Sequence, residues 1–211
     1  MPYRLPIAAL ILGLAACSPD YQPDVPNGTQ AATQSSGKVA TAIFAGGCFW
    51  CTESDFEKVP GVIAAVSGYT GGTTDSPTYE QVSAEGTGHF EAVQVRYDPA
   101  RVSYAALVDY YFRTVDPTDA GGQFCDRGAS YRTAIFVGNA QERAAAEKEK
   151  AEVDAVLDAV VVTPILPAAQ FWDAEGYHQD YYKANSLKYN FYRSRCGRDA
   201  RLAQLWGEKP S

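Results

Sequence analysis

Two cysteines, Cys48 and Cys51, stand three positions apart in the run Gly46-Gly47-Cys48-Phe49-Trp50-Cys51. The apolar residues before this run suit a strand and those after it suit a helix, so Cys48 falls at a strand-to-helix turn. Backbone N–H groups and the helix dipole favour an anion there, which predicts a lowered thiol pKa and a thiolate near neutral pH. The two glycines let the backbone turn tightly and leave the sulfur approachable. A Cys-x-x-Cys pair fits three kinds of chemistry: thiol–disulfide exchange, half of a zinc site, or simple packing. Zinc requires two further ligands at similar spacing. His89 and His178 are solitary, and Cys125 and Cys196 are lone cysteines, so no metal site is expected.

Cys17 makes the cysteine count five, an odd number. Arg4 and an apolar stretch from Leu5 to Ala16 precede it, too short for a membrane span, which needs about 20 residues. A charged start, a short apolar run and small residues read as an export signal over residues 1–16. Leu14-Ala15-Ala16-Cys17 resembles the bacterial lipobox, which makes Cys17 the expected lipidation site; an unmodified exported cysteine or a retained anchor are the alternatives. Ser18, rather than Asp, follows the cysteine and favours the outer membrane. Residues 17–38, rich in Pro, Gln, Ser, Thr and Gly, read as a flexible tether. This leaves residues 39–211 as one domain, expected to be monomeric.

With 46% hydrophobic and 20% charged residues the composition is that of a globular protein. The net charge of −7 and the lack of clustered Lys and Arg exclude a nucleic-acid surface. Strands are expected at Val39–Ala45, Val62–Tyr69, Ala92–Tyr97, Arg132–Val137 and Val160–Thr163. Helices are expected over Phe49–Lys58, from a Ser103 cap to Thr114, from an Asn139 cap to Leu157, and over Glu175–Asn185 and Arg198–Leu205. Strands and helices mix without strict βαβ order, which points to an α+β single domain with a central mixed sheet flanked by helices.

Five separated motifs carry a resemblance: GGCFW with TES shortly after it, SGYTGG at 67–72, PTYEQV at 77–82, TGHFEAVQVRYDP at 87–99 and DRGASYRTAIF at 126–136. In this order, from about Ala42 to Tyr182, the chain resembles the peptide methionine sulfoxide reductase A family. The resemblance implies a ferredoxin-like core and reduction of the S epimer of methionine sulfoxide, free or in proteins. It makes Cys48 the nucleophile, which attacks the sulfoxide sulfur and is left as a sulfenic acid. Glu91 matches the acid, Tyr79 and Tyr131 the phenols on the oxygen, and Asp126 a carboxylate that organises the site. Phe49 and Trp50 match the aromatic wall facing the substrate methyl group. His89 reads as a supporting hydrogen bonder, His178 as structural support, and Asp173 and Glu175 as solvated or capping residues. No bound cofactor is implied, and the external reductant is a thioredoxin-like dithiol.

Three cysteines compete to discharge the sulfenic acid. Cys196 is the positional match in the family and ranks first, Cys51 second and Cys125 third. A structural Cys125–Cys196 disulfide, with Cys48 and Cys51 as the working pair, is the rival arrangement. Two other function classes remain open to the residues themselves. A thioredoxin-like disulfide oxidoreductase also uses Cys-x-x-Cys, although its aromatic residue precedes the first cysteine. A noncatalytic envelope lipoprotein would use the cysteines only as staples.

Overall fold

The computed structural model describes residues 37–207; the expected signal segment, Cys17 and most of the tether lie outside the described residues. In chain order the elements are β1 (Ala40–Gly46), α1 (Phe49–Phe56), β2 (Val62–Thr70), α2 (Tyr79–Ser83), β3 (Phe90–Tyr97), α3 (Tyr104–Thr114), β4 (Gly122–Gln123), β5 (Asp126–Arg127), a 3-10 turn (Ala129–Tyr131), β6 (Thr133–Val137), α4 (Ala140–Val156), β7 (Ile165–Pro167), β8 (Phe171–Asp173), α5 (Tyr181–Ala184), α6 (Ser186–Arg195) and α7 (Arg198–Trp206). Among the described residues, β7-β6-β1-β3-β2-β8 form one six-stranded sheet, and β4 pairs with β5. β6 and β7 run parallel while the other neighbours run antiparallel, so the sheet is mixed and the class is α+β, as expected.

Side chains alternate across a strand, and this chain uses both faces. Phe44, Val93, Val95, Ile135 and Val137 join Phe49 and Phe56 of α1 and Leu107, Tyr111 and Phe112 of α3 in the main core. The intervening Ala45, Ala92, Ala134 and Phe136 form a smaller cluster with Phe90 on the opposite face. Full burial of each large apolar side chain contributes roughly 1.5–3 kcal/mol. Glu91 shares its parity with Val93 and Val95, so the pleat directs a carboxyl onto the face that carries α1. The Ser103 and Asn139 caps form as read: Ser103 Oγ accepts from Ala106 N, and Asn139 Oδ1 accepts from Gln141 N and Glu142 N.

Two expected elements are corrected. Val160–Thr163 lies outside the sheet because its polar groups bond elsewhere. Val161 N donates to Asp154 Oδ1, Val162 N to Pro117 O and Thr163 Oγ1 to Thr133 Oγ1, and the sheet is joined only at β7. The helix expected over Glu175–Asn185 shrinks to α5. Asp180 N donates to Glu53 Oε1 at 2.9 Å, and Asp180 adopts a left-handed φ of +52°, which interrupts a helix before it starts. The short elements α2 and β8 were not expected.

Candidate active site

The turn between β1 and α1 requires glycine. Gly47 has φ +79°, and a Cβ there would lie 2.5 Å from Gln123 Cβ. Cys48 is the N-cap residue of α1, and its carbonyl accepts from Cys51 N at 3.1 Å. The first N–H groups of a helix have no partner inside it. That of Phe49 donates to Glu91 Oε2 at 3.0 Å, so a carboxyl from β3 closes the end of the helix.

One small, open cleft is lined by Cys48, Phe49, Trp50, Tyr79, Glu91, Asp126, Tyr131 and Tyr192. The structure brings together every residue expected at the site apart from the competing cysteines. They arrive from the β1–α1 turn, α2, β3, β5 and the 3-10 turn. Tyr192, from α6, was not expected; its hydroxyl donates to Asp126 Oδ2, and the residue shares the cleft lining with Cys48. No motif marks it, since only the docking of α6 shows which face of that helix meets the cleft.

The aromatic wall is held from behind. Trp50 Nε1 donates to His178 Nδ1 at 3.1 Å, and the indole stacks on Tyr181 with centroids 3.8 Å apart. Burial keeps the His178 pKa below its ordinary value, so the ring stays neutral and Nδ1 can accept. Glu175 acts as a cap from outside the helix, its side chain part-exposed: it accepts from Tyr79 N, the first N–H of α2, and from Tyr69 OH, each at 2.8 Å, and so fixes the start of α2. Asp173 is exposed in β8. His89 accepts from Gly72 N at 3.1 Å and lies 2.8 Å from Thr74 O, bracing the loop after β2 outside the cleft lining. Glu53, Glu57 and Asp180 also cluster, but Ser67, Lys183 and the Asp180 N–H meet their charges.

Burial pushes the Glu91 pKa up to about 8; the Phe49 N–H opposes this, and the charges of Asp126 and Cys51 add to it. Burial also raises the phenols of Tyr79, Tyr131 and Tyr192, which keeps them as hydrogen-bond donors. Tyr79, Tyr131 and Glu91 share the lining of the cleft. The expected lowering of the Cys48 thiol pKa is corrected: it is raised, by burial first and then by Cys51 and Glu91. The dipole of α1 is present, but the Phe49 N–H at its end is taken by Glu91. Cys51 is instead lowered to about 7, first by the hydrogen bond from Cys48, against the cost of burial, and then by the charges of Arg198 and Arg193.

Cys125 and Cys196 form a disulfide with Cα atoms 4.8 Å apart, and Cys48 and Cys51 are the free cysteines among the described residues. Cys196, ranked first to discharge the sulfenic acid, is therefore already bonded. The bridge spans 71 positions of sequence, which restricts the unfolded chain by about 4 kcal/mol on the loop-entropy model. It ties the residue before Asp126 to the residue four after Tyr192.

A buried thiol pair, a protonated carboxyl and a set of neutral phenols around one small cleft define an α+β thiol oxidoreductase. The peptide methionine sulfoxide reductase model matches residues 40–210. Peptide methionine sulfoxide reductase MsrA 2 of Caulobacter vibrioides is 55% identical over 181 residues, 85% of this chain and 92% of that protein. The crystal structure of Mxr1 from Saccharomyces cerevisiae in reduced form is similar at 32% identity and a TM-score of 0.68, covering 72% of this chain and 88% of that one. Mxr1 in complex with Trx2 matches at 23% identity and a TM-score of 0.50, over 72% of this chain and 91% of that one, a likeness of fold. The chain belongs to the peptide methionine sulfoxide reductase family and is an enzyme of its A type, reducing methionine sulfoxide to methionine.

Proposed function

We propose that Cys48 is the nucleophile and Glu91 the acid in reduction of the S epimer of methionine sulfoxide, and that Cys51 discharges the product sulfenic acid. The observation that carries this reading is the cleft that gathers Cys48, Glu91, Tyr79 and Tyr131, with Cys51 buried one helical turn after Cys48 on α1. Cys48 enters as a thiol, and its hydrogen bond to Cys51 supplies an acceptor for its proton as the sulfur attacks the sulfoxide sulfur. Glu91, neutral below about pH 8, protonates the oxygen, on which negative charge develops. Tyr79 and Tyr131 donate to that oxygen, and Asp126 orients Tyr192 beside Cys48. The protonated oxygen passes from the methionine sulfur to the Cys48 sulfur as the bond between the two sulfurs breaks, so methionine leaves and Cys48 becomes a sulfenic acid. Cys51 then attacks this sulfur, the S–O bond breaks, and the oxygen departs as water while a Cys48–Cys51 disulfide forms.

Phe49 and Trp50 are proposed to receive the substrate methyl group. With the wall on one side and the phenols on the other, only one arrangement of methyl, oxygen and main chain fits, which rejects the R epimer. The test is a single turnover with each epimer. The S epimer should yield methionine and a Cys48 adduct or disulfide, and Cys48→Ser should yield none; comparable rates on both epimers would falsify the assignment.

Regeneration is proposed to use a thioredoxin-like dithiol, since a disulfide product can return to two thiols only by exchange. The complex of Mxr1 with Trx2 supports this for a protein of the same fold. The Leu14-to-Cys17 motif supports a lipid-anchored enzyme of the cell envelope, repairing oxidised proteins on the periplasmic side, with the outer membrane favoured. Mass spectrometry of the mature N-terminal peptide should find Cys17 acylated; an unmodified Cys17 would remove the anchor from this account.

A further inference from the structure

Arg198 is fully buried at the start of α7, yet no role in the reaction described so far needs it. Its Nη2 donates to Thr114 O at 2.8 Å and to Gly46 O at 3.2 Å, the latter two residues before Cys48. Its guanidinium carbon lies 4.6 Å over the centre of the Phe124 ring. Its Nε has no hydrogen-bond partner among the described residues, and the nearest carboxylate, Asp55 Oδ2, is 3.8 Å away. A buried N–H of a charged group without an acceptor is costly, so its retention calls for an anion that uses the charge.

Asp55 is not sufficient as that anion, because its two oxygens already lie 2.9 and 3.1 Å from Arg193 Nη1. Asp55 and Cys51 are four residues apart on α1 and so share one face, the face against which Arg193 and Arg198 are packed. Cys51 is 2% exposed and senses both guanidinium charges. The other charged or titratable groups that act on it are Cys48 at the helix start, Asp55 on α1, Glu91 on β3 and Tyr189 on α6.

We propose that Arg198 is a positioning residue for the second half of the cycle, its buried guanidinium holding the Cys51 sulfur as the anion that faces Cys48. This rests on Cys51 as the thiol that discharges the sulfenic acid. The sulfur serves twice: as the anion it accepts the proton that Cys48 gives up on attack, and, passing that proton to the departing oxygen, it is again the thiolate that attacks the sulfenic sulfur. In that step Cys51 is oxidised, the sulfenic sulfur of Cys48 is reduced, the S–S bond forms as the S–O bond breaks, and the oxygen takes up protons to leave as water.

The test uses the full chain carrying Cys17→Ala and Cys48→Ser, in which Cys51 is the remaining free thiol, with ultraviolet thiolate absorbance followed against pH. Against the Cys51 midpoint of that chain, Arg198→Met should move the midpoint up by about one pH unit or more, and Arg198→Lys should restore most of the difference. In the enzyme with Cys48 intact, the trapped sulfenic acid should persist about fivefold longer in Arg198→Met at pH 7, the thiolate fraction having dropped by that factor for a one-unit rise from about 7. An unmoved midpoint would overturn the proposal. Should Arg198→Met fail to fold, the Arg198 Nε–H resonance of the unsubstituted arginine decides. It should shift with the same midpoint as Cys51, and a resonance indifferent to that titration would also overturn the proposal. If the midpoints behave as stated but oxidation by the sulfoxide yields no Cys48–Cys51 bond, the charge assignment stands and the reading of Cys51 as the discharging thiol fails.

Discussion

Glu91→Gln is expected to slow methionine release in a single turnover by about 10²–10⁴-fold, the usual worth of a placed acid. Glutamine fills the same space and its amide oxygen can still accept from Phe49 N, so the end of α1 keeps its closure. The pH dependence separates lost chemistry from lost structure. The unsubstituted enzyme should lose rate in the reduction step as pH rises through about 8, where Glu91 gives up its proton, and the variant should lack that limb. At high pH the substitution should move stability in the opposite sense to activity. The folded carboxyl holds its proton up to about 8 against an ordinary 4.5. Between these values the folded state binds more protons than the unfolded chain, so stability falls as pH rises. Thermal melts above pH 8 should therefore favour Glu91→Gln over the unsubstituted enzyme, and a variant equally active at all pH values would remove Glu91 from the acid role.

Cys51→Ser should still release one equivalent of methionine, more slowly because Cys48 has lost its proton acceptor, and stop the turnovers that follow when a thioredoxin is the only reductant. The sulfenic acid on Cys48 would then persist long enough to be trapped and counted. Cys196→Ser makes the contrast: it should keep turning over, at reduced stability, because its bridge to Cys125 lies outside the route of electrons. The opposite pattern, with Cys196→Ser silent after one turnover and Cys51→Ser active, would restore Cys196 as the discharging thiol.

The residues around Cys48 were legible in the chain because each sits in a local motif whose geometry is local. The glycine turn, the Ser103 and Asn139 caps and the alternation through Ala92–Tyr97 depend on neighbours a few positions away. What could not be read depends on contacts between distant segments. Tyr192 enters the cleft only because α6 docks there, and Glu175 becomes a bracket only once Tyr69 and Tyr79 meet it. The left-handed Asp180 answers to Glu53, far away in sequence. Cysteine pairing is likewise a matter of spatial approach, and four cysteines can be paired in three ways without any local signal to choose among them. The Cys48 pKa was misjudged for a related reason: the strand-to-helix turn was visible, but the carboxyl that takes the leading N–H of the helix comes from β3.

The C-terminal helices have a consequence for the order in which the enzyme becomes competent. Cys48 lies near the start of the folded domain, whereas Tyr192, which lines its cleft, and Arg198, which packs behind the β1–α1 turn on Gly46, belong to α6 and α7. A chain emerging from its N-terminus has its reactive sulfur in hand through most of synthesis, while lacking the parts that close the cleft and charge the second thiol. At about 5–20 residues per second, that interval is on the order of ten seconds. Catalytic competence thus arrives near the end of synthesis, so a chain interrupted before α6 is silent rather than partly active.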